Sequence, residues 1–264
     1  MSDSLQISRS GQIARIALNR PDVHNAFDES SVAGLTQALL DAEDDAQVRA
    51  VVLTGNGASF SAGADLNWMR RMAQASEAEN RLDSERLALL MRTLNFLSKP
   101  TVARVNGAAY GGGVGLIACC DIAIAADTAK FGLTEVKLGL VPAVISPYVI
   151  AAIGVRAARR LFLTGEIFSA AEAVRIGLLQ QTVSVDQLDA SVDRVLDWLG
   201  KGAPQAQREA KQLALRMAGA TRGAAESIDL ENAALIARLR VSAEGQEGLG
   251  AFLDKHAPSF IVKD

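Results

Sequence analysis

The sequence predicts an α/β fold: a mainly parallel sheet with covering helices, followed by a helical C-terminal portion. Two observations carry this. Up to about residue 186, short apolar β-branched runs alternate with stretches of helical period, the pattern of strands joined by helical crossovers. Beyond that point the strand signals stop and only helical patterns remain.

Residues 5–8 and 13–18 read as two short strands joined by Ser10-Gly11. Residues 30–46 place Val32, Leu35, Leu39 and Ala42 on a helical period. Ala50-Val51-Val52-Leu53-Thr54, closed by Gly55, reads as a buried strand. Helices over about 64–72 and 77–97 follow, and Lys99-Pro100 breaks the chain before a strand over 101–105. A glycine turn and its apolar helix come next, then a strand over 121–125. The C-terminal helices fall near 187–200, 204–217, 222–239 and 243–254. The expected division is an α/β core over residues 1–195 and a helical region over 196–264. No internal repeat or low-complexity tract is visible.

At 264 residues the chain can bury a sizeable core, and 49% hydrophobic with 22% charged residues is ordinary for a soluble globular protein. A formal net charge of −3 argues against a nucleic-acid partner, which usually demands a basic face. The two cysteines, Cys119 and Cys120, are adjacent in an apolar run, unsuited to a structural disulfide or a metal site, so buried thiols are expected. The start Met1-Ser2-Asp3-Ser4 carries an acid where a secretory signal has a basic region, and no apolar run spans a bilayer. A cytoplasmic protein without a membrane partner is expected.

Chemistry enters through two motifs that place small residues just ahead of apolar helical stretches. These are Gly63-Ala64-Asp65 and Tyr110-Gly111-Gly112-Gly113-Val114-Gly115-Leu116-Ile117. Backbone N–H groups at such helix starts lack intrahelical partners and can face a ligand. Two of them, delivered by separate turns, can hold a developing oxyanion between them. That suits enolate chemistry on a carbonyl or thioester and requires no metal. Taken singly, each motif reads equally well as a tight turn that glycine permits.

A wider set of residues carries a family resemblance. Asn19-Arg20-Pro21, Asn25-Ala26, Phe60-Ser61-Ala62-Gly63-Ala64-Asp65-Leu66, Lys99-Pro100-Thr101-Val102-Ala103 and Asn106-Gly107 occur in order. Gly111-Gly112-Gly113, Cys120-Asp121 and Phe131-Gly132-Leu133-Thr134-Glu135 continue the series, and Glu247-Gly248, Ala251-Phe252, Lys255 and Pro258 close it. Together they resemble the crotonase superfamily over nearly the whole chain. The resemblance implies a core of repeated ββα units and a helical C-terminal trimerisation region that builds a homotrimer or a dimer of trimers. It also implies action on acyl-CoA thioesters through a stabilised enolate. Coenzyme A is then part of the substrate, and no metal or separate cofactor is implied.

By the same resemblance the backbone N–H groups of Ala64 and Gly112 are the two oxyanion donors, with Ala62, Leu66 and Gly111 beside them in substrate binding. Glycine at 112 leaves room for a thioester oxygen. Glu135 matches the family glutamate that exchanges a proton with the substrate α or γ carbon. Its neighbours Phe131, Leu133, Val136 and Leu138 imply an apolar setting that raises its pKa; a surface glutamate paired with Lys137 is the alternative.

One position departs from the pattern. Hydratases of the superfamily commonly carry a second glutamate two residues after the triple glycine, where it holds the attacking water, and Gly115 stands there instead. Superfamily isomerases that move a double bond between positions 3 and 2 often work with one glutamate placed like Glu135. Yet residues 65–72, Asp-Leu-Asn-Trp-Met-Arg-Arg-Met, and residues 139–148, Gly-Leu-Val-Pro-Ala-Val-Ile-Ser-Pro-Tyr, resemble bacterial 3-methylglutaconyl-CoA and isohexenylglutaconyl-CoA hydratases. Those enzymes serve leucine and acyclic terpene breakdown. The expected activity is therefore hydration of a branched or dicarboxylic 2-enoyl-CoA. A Δ3,Δ2-enoyl-CoA isomerase and a low-turnover acyl-CoA-binding protein are the alternatives. The part of the absent glutamate falls to the substrate's own carboxylate, to Ser146 or to Tyr148.

Several further residues have two readings. Arg70 and Arg71 suit a carboxylate or the nucleotide phosphates, or form a solvated helix face. Trp68 reads as core or pocket wall. Phe252 and Lys255 match family residues that approach coenzyme A, sometimes from a neighbouring subunit, or end an amphipathic helix. His24 lies in a loop that the family places near coenzyme A, and His256 has no assignment. Asp65 is assigned to the substrate-binding set but, at a helix start, reads chiefly as a cap. Asp121, opening a strand, reads as structural.

Overall fold

The structure is a computed structural model that describes residues 4–261, so Met1-Ser2-Asp3 of the polar start lie outside the described residues. Two antiparallel strands open it, β1 (Leu5–Ser10) and β2 (Ile13–Leu18). Their pairing runs on to Ser10↔Ile13, beyond the expected end at residue 8, because Gly11 at φ +57° closes the hairpin tightly. The first helix, α1 (Glu29–Asp44), is capped by Asp28, which accepts from the Ser31 N–H at 2.8 Å. Val32, Leu35, Leu39 and Ala42 are all buried, as their period requires.

One plan then repeats three times. The strands β3 (Ala50–Gly55) and β4 (Ser59–Ser61) precede α2 (Leu66–Gln74) and α3 (Glu77–Asn95). Next come β5 (Thr101–Val105), β6 (Ala108–Tyr110) and α4 (Gly112–Cys119). The third round is β7 (Ile122–Ala126), β8 (Lys130–Gly132) and α5 (Ser146–Thr164). After these lie β9 (Ile167–Ser169), α6 (Ala170–Arg175) and β10 (Gln181–Val183). The first strand of each round joins a six-stranded sheet, β1-β2-β3-β5-β7-β10, and the second joins a four-stranded sheet, β4-β6-β8-β9. Apart from β1–β2 and β8–β9 the pairings are parallel. These are the repeated ββα units that the resemblance implied.

Alternation along the large sheet divides the core. Val51, Leu53, Ala103, Val105, Ala123 and Ala125 face the main apolar cluster, which includes Leu35, Leu94 and Leu116 from the covering helices. Val52, Val102, Ile124 and Ala126 face the other way, onto Leu188, Val192 and Val195 of α7 (Leu188–Lys201). Beyond β10 the described chain is helical, with α8 (Pro204–Met217), α9 (Arg222–Arg240) and α10 (Ala243–Leu253) following α7. All four fall within one residue of the expected bounds. The helix α9 lies along α3, tied by Arg92–Asp229 at 2.8 Å and Arg240–Asp83 at 2.9 Å. The helix α10 covers α2 and a 3-10 turn at Glu135–Leu138. No helix among the described residues is long and apolar enough to cross a membrane.

Candidate active site

The ends of β4 and β6 deliver the two small-residue turns side by side. Gly63 needs its φ of +83°, and a Cβ there would lie 2.9 Å from the Tyr110 carbonyl oxygen and 3.7 Å from the Gly112 nitrogen. The first turn is pinned by the loop before α1: Phe27 N–H donates to the Gly63 carbonyl at 2.6 Å, and Asp65 N–H to the Phe27 carbonyl at 2.7 Å. Ala64 N–H, between these bonds, has no protein acceptor among the described residues. Gly112 opens α4, so its N–H has no intrahelical acceptor either. Gly111 before it sits at φ +49°, where a Cβ would come within 3.0 Å of Glu135 Oε1. Gly112 itself must lack a side chain because Phe27 Cε2 would lie 2.8 Å from a Cβ. Two free backbone donors thus converge next to one carboxyl.

Glu135 begins the 3-10 turn that follows β8. Its Oε2 is fully buried with no hydrogen-bond partner. Burial pushes its pKa up from 4.5 to about 7, only partly offset by its own backbone N–H, so the acid and carboxylate forms are both populated near neutrality. The carboxyl and both donors line one cavity of about 610 Å³. Phe27, Leu138, Leu140, Val144 and Ile145 make much of its wall apolar. A buried carboxyl of neutral pKa beside an oxyanion site can pass a proton to or from a carbon next to a thioester.

Residues 8–263 match the family model of the enoyl-CoA hydratases/isomerases. The chain belongs to that family, within the crotonase superfamily. An enoyl-CoA hydratase of known structure from Shewanella pealeana is 44% identical, with a TM-score of 0.80 over 97% of this chain and 95% of that one. A Thermus thermophilus protein carrying an enoyl-CoA hydratase name is 38% identical over 95% of this chain and 98% of its own length. The 2,3-dehydroadipyl-CoA hydratase of Escherichia coli K12 is 32% identical over 97% and 98%.

The enzyme gathers most of the residues singled out from sequence around this cavity. Ala62, Leu66, Gly111 and Phe252 line it, as does His24, whose ring nitrogen lies 3.0 Å from Ser59 Oγ. Trp68 is both core and wall: it is buried, and its indole donates to Asp83 Oδ1 at 3.0 Å. Asp65 reaches the cavity but its carboxylate is occupied, accepting from the Asn67 and Trp68 N–H groups and from Arg20 Nη2 at 2.9 Å. It caps α2, which is why that helix starts at Leu66 and not at 64. Arg70 lines the mouth, exposed, while Arg71 pairs with Glu29 at 2.6 Å outside it. Asp121 is structural: it binds the Thr101 N–H and hydroxyl and pairs with Lys211 at 2.8 Å.

Three expectations need correction. Tyr148, assigned to substrate binding and offered as a water ligand, does not line the cavity. It is buried on α5 with an unpartnered hydroxyl, and burial raises its pKa, with Cys119 and Asp229 adding to the rise. Ser146 is likewise engaged, donating to the Ala143 carbonyl at 2.7 Å as α5 begins. Lys255, assigned to substrate binding, lies outside the cavity in a left-handed turn at φ +59° after α10 and is exposed.

The structure also explains Gly115. A Cβ there would collide with the Ile145 Cγ2 atom, lie 2.8 Å from Ile145 Cβ and touch Met91 at 3.4 Å. The slot of the second glutamate is filled by Ile145, so Gly115→Glu could not be accommodated without also changing Ile145. Sequence reading missed one cavity residue of chemical note, Arg240. Its Nη1 donates to Asp83 Oδ2 at 2.9 Å and Asn80 Oδ1 at 3.1 Å. Nothing local flags an arginine at a helix end as a pocket residue when its partners lie 157 and 160 positions away.

Proposed function

We propose that this enoyl-CoA hydratase adds water to a branched or dicarboxylic 2-enoyl-CoA, such as 3-methylglutaconyl-CoA or isohexenylglutaconyl-CoA, using Glu135 as its one catalytic carboxyl. The observation that carries the mechanism is the buried, unpartnered Oε2 of Glu135 beside two free backbone donors. The thioester oxygen binds between the N–H groups of Ala64 and Gly112. Water adds its oxygen to C3 as Glu135, in its acid form, gives a proton to C2 of the enolate. The proton released by that water restores the acid, so the addition balances as one water per turnover. Coenzyme A arrives within the substrate, and no separate cofactor takes part in these steps. Losing one hole donor typically costs roughly two to three orders of magnitude.

The dicarboxylic substrate rests on three supports. Residues 65–72 and 139–148 resemble the glutaconyl-CoA hydratases, and the Escherichia coli relative is named for 2,3-dehydroadipyl-CoA, itself a dicarboxylic thioester. Ser146 and Tyr148 are turned away, which leaves the substrate's own carboxylate to orient the water. The assembly we propose is a homotrimer or a dimer of trimers: α8 buries none of its residues, and Leu213 and Met217 on it are exposed.

The single glutamate also favours a second reading, a Δ3,Δ2-enoyl-CoA isomerase in which the Glu135 carboxylate carries one proton between C4 and C2. Product mass separates them. Incubation with 3-methylglutaconyl-CoA should yield a product heavier by one water. An unchanged mass there, with a 3-enoyl-CoA converted to its 2-isomer, selects the isomerase. No conversion of either selects an acyl-CoA-binding protein.

A further inference from the structure

We infer that Arg240 is a specificity residue that recognises an anionic group at the far end of the acyl chain; this deepens the dicarboxylic reading above. Five charged residues line the cavity: Asp22, Asp65, Arg70, Glu135 and Arg240. Asp65 is held by Arg20, and Glu135 stands at the oxyanion site. Arg70 lies exposed midway along α2, its Nη1 bonded to Asn67 one helical turn earlier. Arg240 differs from all of these. It comes from the last turn of α9, its side chain is only 15% exposed, and Met72, Ser84, Leu87 and Ile236 line the same cavity.

A guanidinium in an apolar wall is costly unless paired, and this one is paired on one side only. Asp83 and Asn80 together take Nη1. Trp68 in turn donates to the other oxygen of Asp83, so the supporting carboxylate is fixed from two directions. That leaves Nε and Nη2 of Arg240 without a protein acceptor among the described residues, and neither is sealed off as a buried unpartnered atom. Two adjacent N–H groups of a guanidinium match the two oxygens of a carboxylate, and holding Nη1 from behind sets the orientation of that fork in advance. A lysine would not reproduce the geometry.

Saturated thioesters that cannot react test this without depending on turnover. Binding of glutaryl-CoA and adipyl-CoA is compared by calorimetry with pentanoyl-CoA and hexanoyl-CoA, their uncharged counterparts of equal length. The wild-type enzyme should bind at least one of the two carboxylates roughly 100-fold more tightly than its counterpart, and Arg240→Gln should abolish that preference. Arg240→Lys should keep only part of it. Arg70→Gln, at the exposed arginine of the same cavity, should leave the preference intact; together with the wild-type comparison it decides the matter if the Arg240 variants do not fold. Equal wild-type affinity for charged and uncharged chains overturns the assignment, as does an Arg240→Gln variant that weakens both equally. Loss of the preference in Arg70→Gln but not in Arg240→Gln overturns it too. If the preference is present but no enoyl-CoA is hydrated, the hydratase reading fails and the anion site stands.

Discussion

Replacing Glu135 by glutamine separates what the carboxyl does for the reaction from what it does to the fold. Its Oε2 is buried without a partner, and burial lifts its pKa from 4.5 to about 7. The folded chain therefore favours the protonated acid, whereas the unfolded chain ionises near the ordinary value. Below that value both states hold the proton, and the stability is fully present. As the pH climbs through 7 the unfolded state has already released its proton, and stability is progressively lost. At about 1.36 kcal/mol per pH unit the loss reaches roughly 3 kcal/mol above neutrality. Glutamine carries no charge and escapes it. With about 2–4 °C of Tm per kcal/mol for a chain of this size, Glu135→Gln should melt roughly 6–12 °C above wild type at about pH 8.5 and level with it at about pH 4. The same variant should lose about 10²–10⁴-fold in turnover. Calorimetric scans of both proteins across this range, with steady-state rates alongside, provide the test. A Tm difference that does not open as the pH rises refutes the buried, unpartnered carboxyl, and equal turnover refutes its catalytic part.

The remaining predictions concern the surroundings of that group. Gly115→Ala should cost roughly 1–3 kcal/mol through the clash with Ile145, and in urea denaturation the double variant with Ile145→Ala should cost less than the sum of the two; additivity would refute the contact. Gly111→Ala forces a side chain to φ +49° and pushes on Glu135 Oε1, so it should destabilise by about 1–2 kcal/mol and lower kcat while the enzyme still binds thioester. In the hydration direction Glu135 acts as an acid, so kcat/KM should fall above about pH 7; an isomerase using its carboxylate would instead lose activity below that value.

Much of the scaffold was legible because long elements repeat their signal. Four apolar positions one period apart marked α1, and the C-terminal helices were placed to within a residue. The strands β4, β6, β8, β9 and β10 were missed because three residues are too few to show alternation, although β4 and β6 carry the turns of the site. The turns at Ala64 and Gly112 and the position of Glu135 were readable through the resemblance, whose motifs keep their order along the chain, and the structure brings all three to one cavity. Tyr148 and Lys255 were misjudged because a motif fixes position in the chain but not which way a side chain turns. Arg240 was invisible for a different reason: its part depends on helices α3 and α9 meeting, a contact between segments more than 150 positions apart. The clash that makes Gly115 obligatory could not be read either, because Ile145 reaches it only after the chain between them has folded back.

Hydration of 3-methylglutaconyl-CoA in deuterium oxide, with the product returned to ordinary water before its mass is read, tests most directly whether Glu135 protonates C2. The account predicts one added water and one deuterium retained at C2 with the wild-type enzyme, and hydrated product formed at least about 100-fold more slowly with Glu135→Gln even though the variant still binds the thioester. Hydrated product formed by that variant at the wild-type rate, or wild-type substrate that takes up deuterium without gaining water, would contradict it.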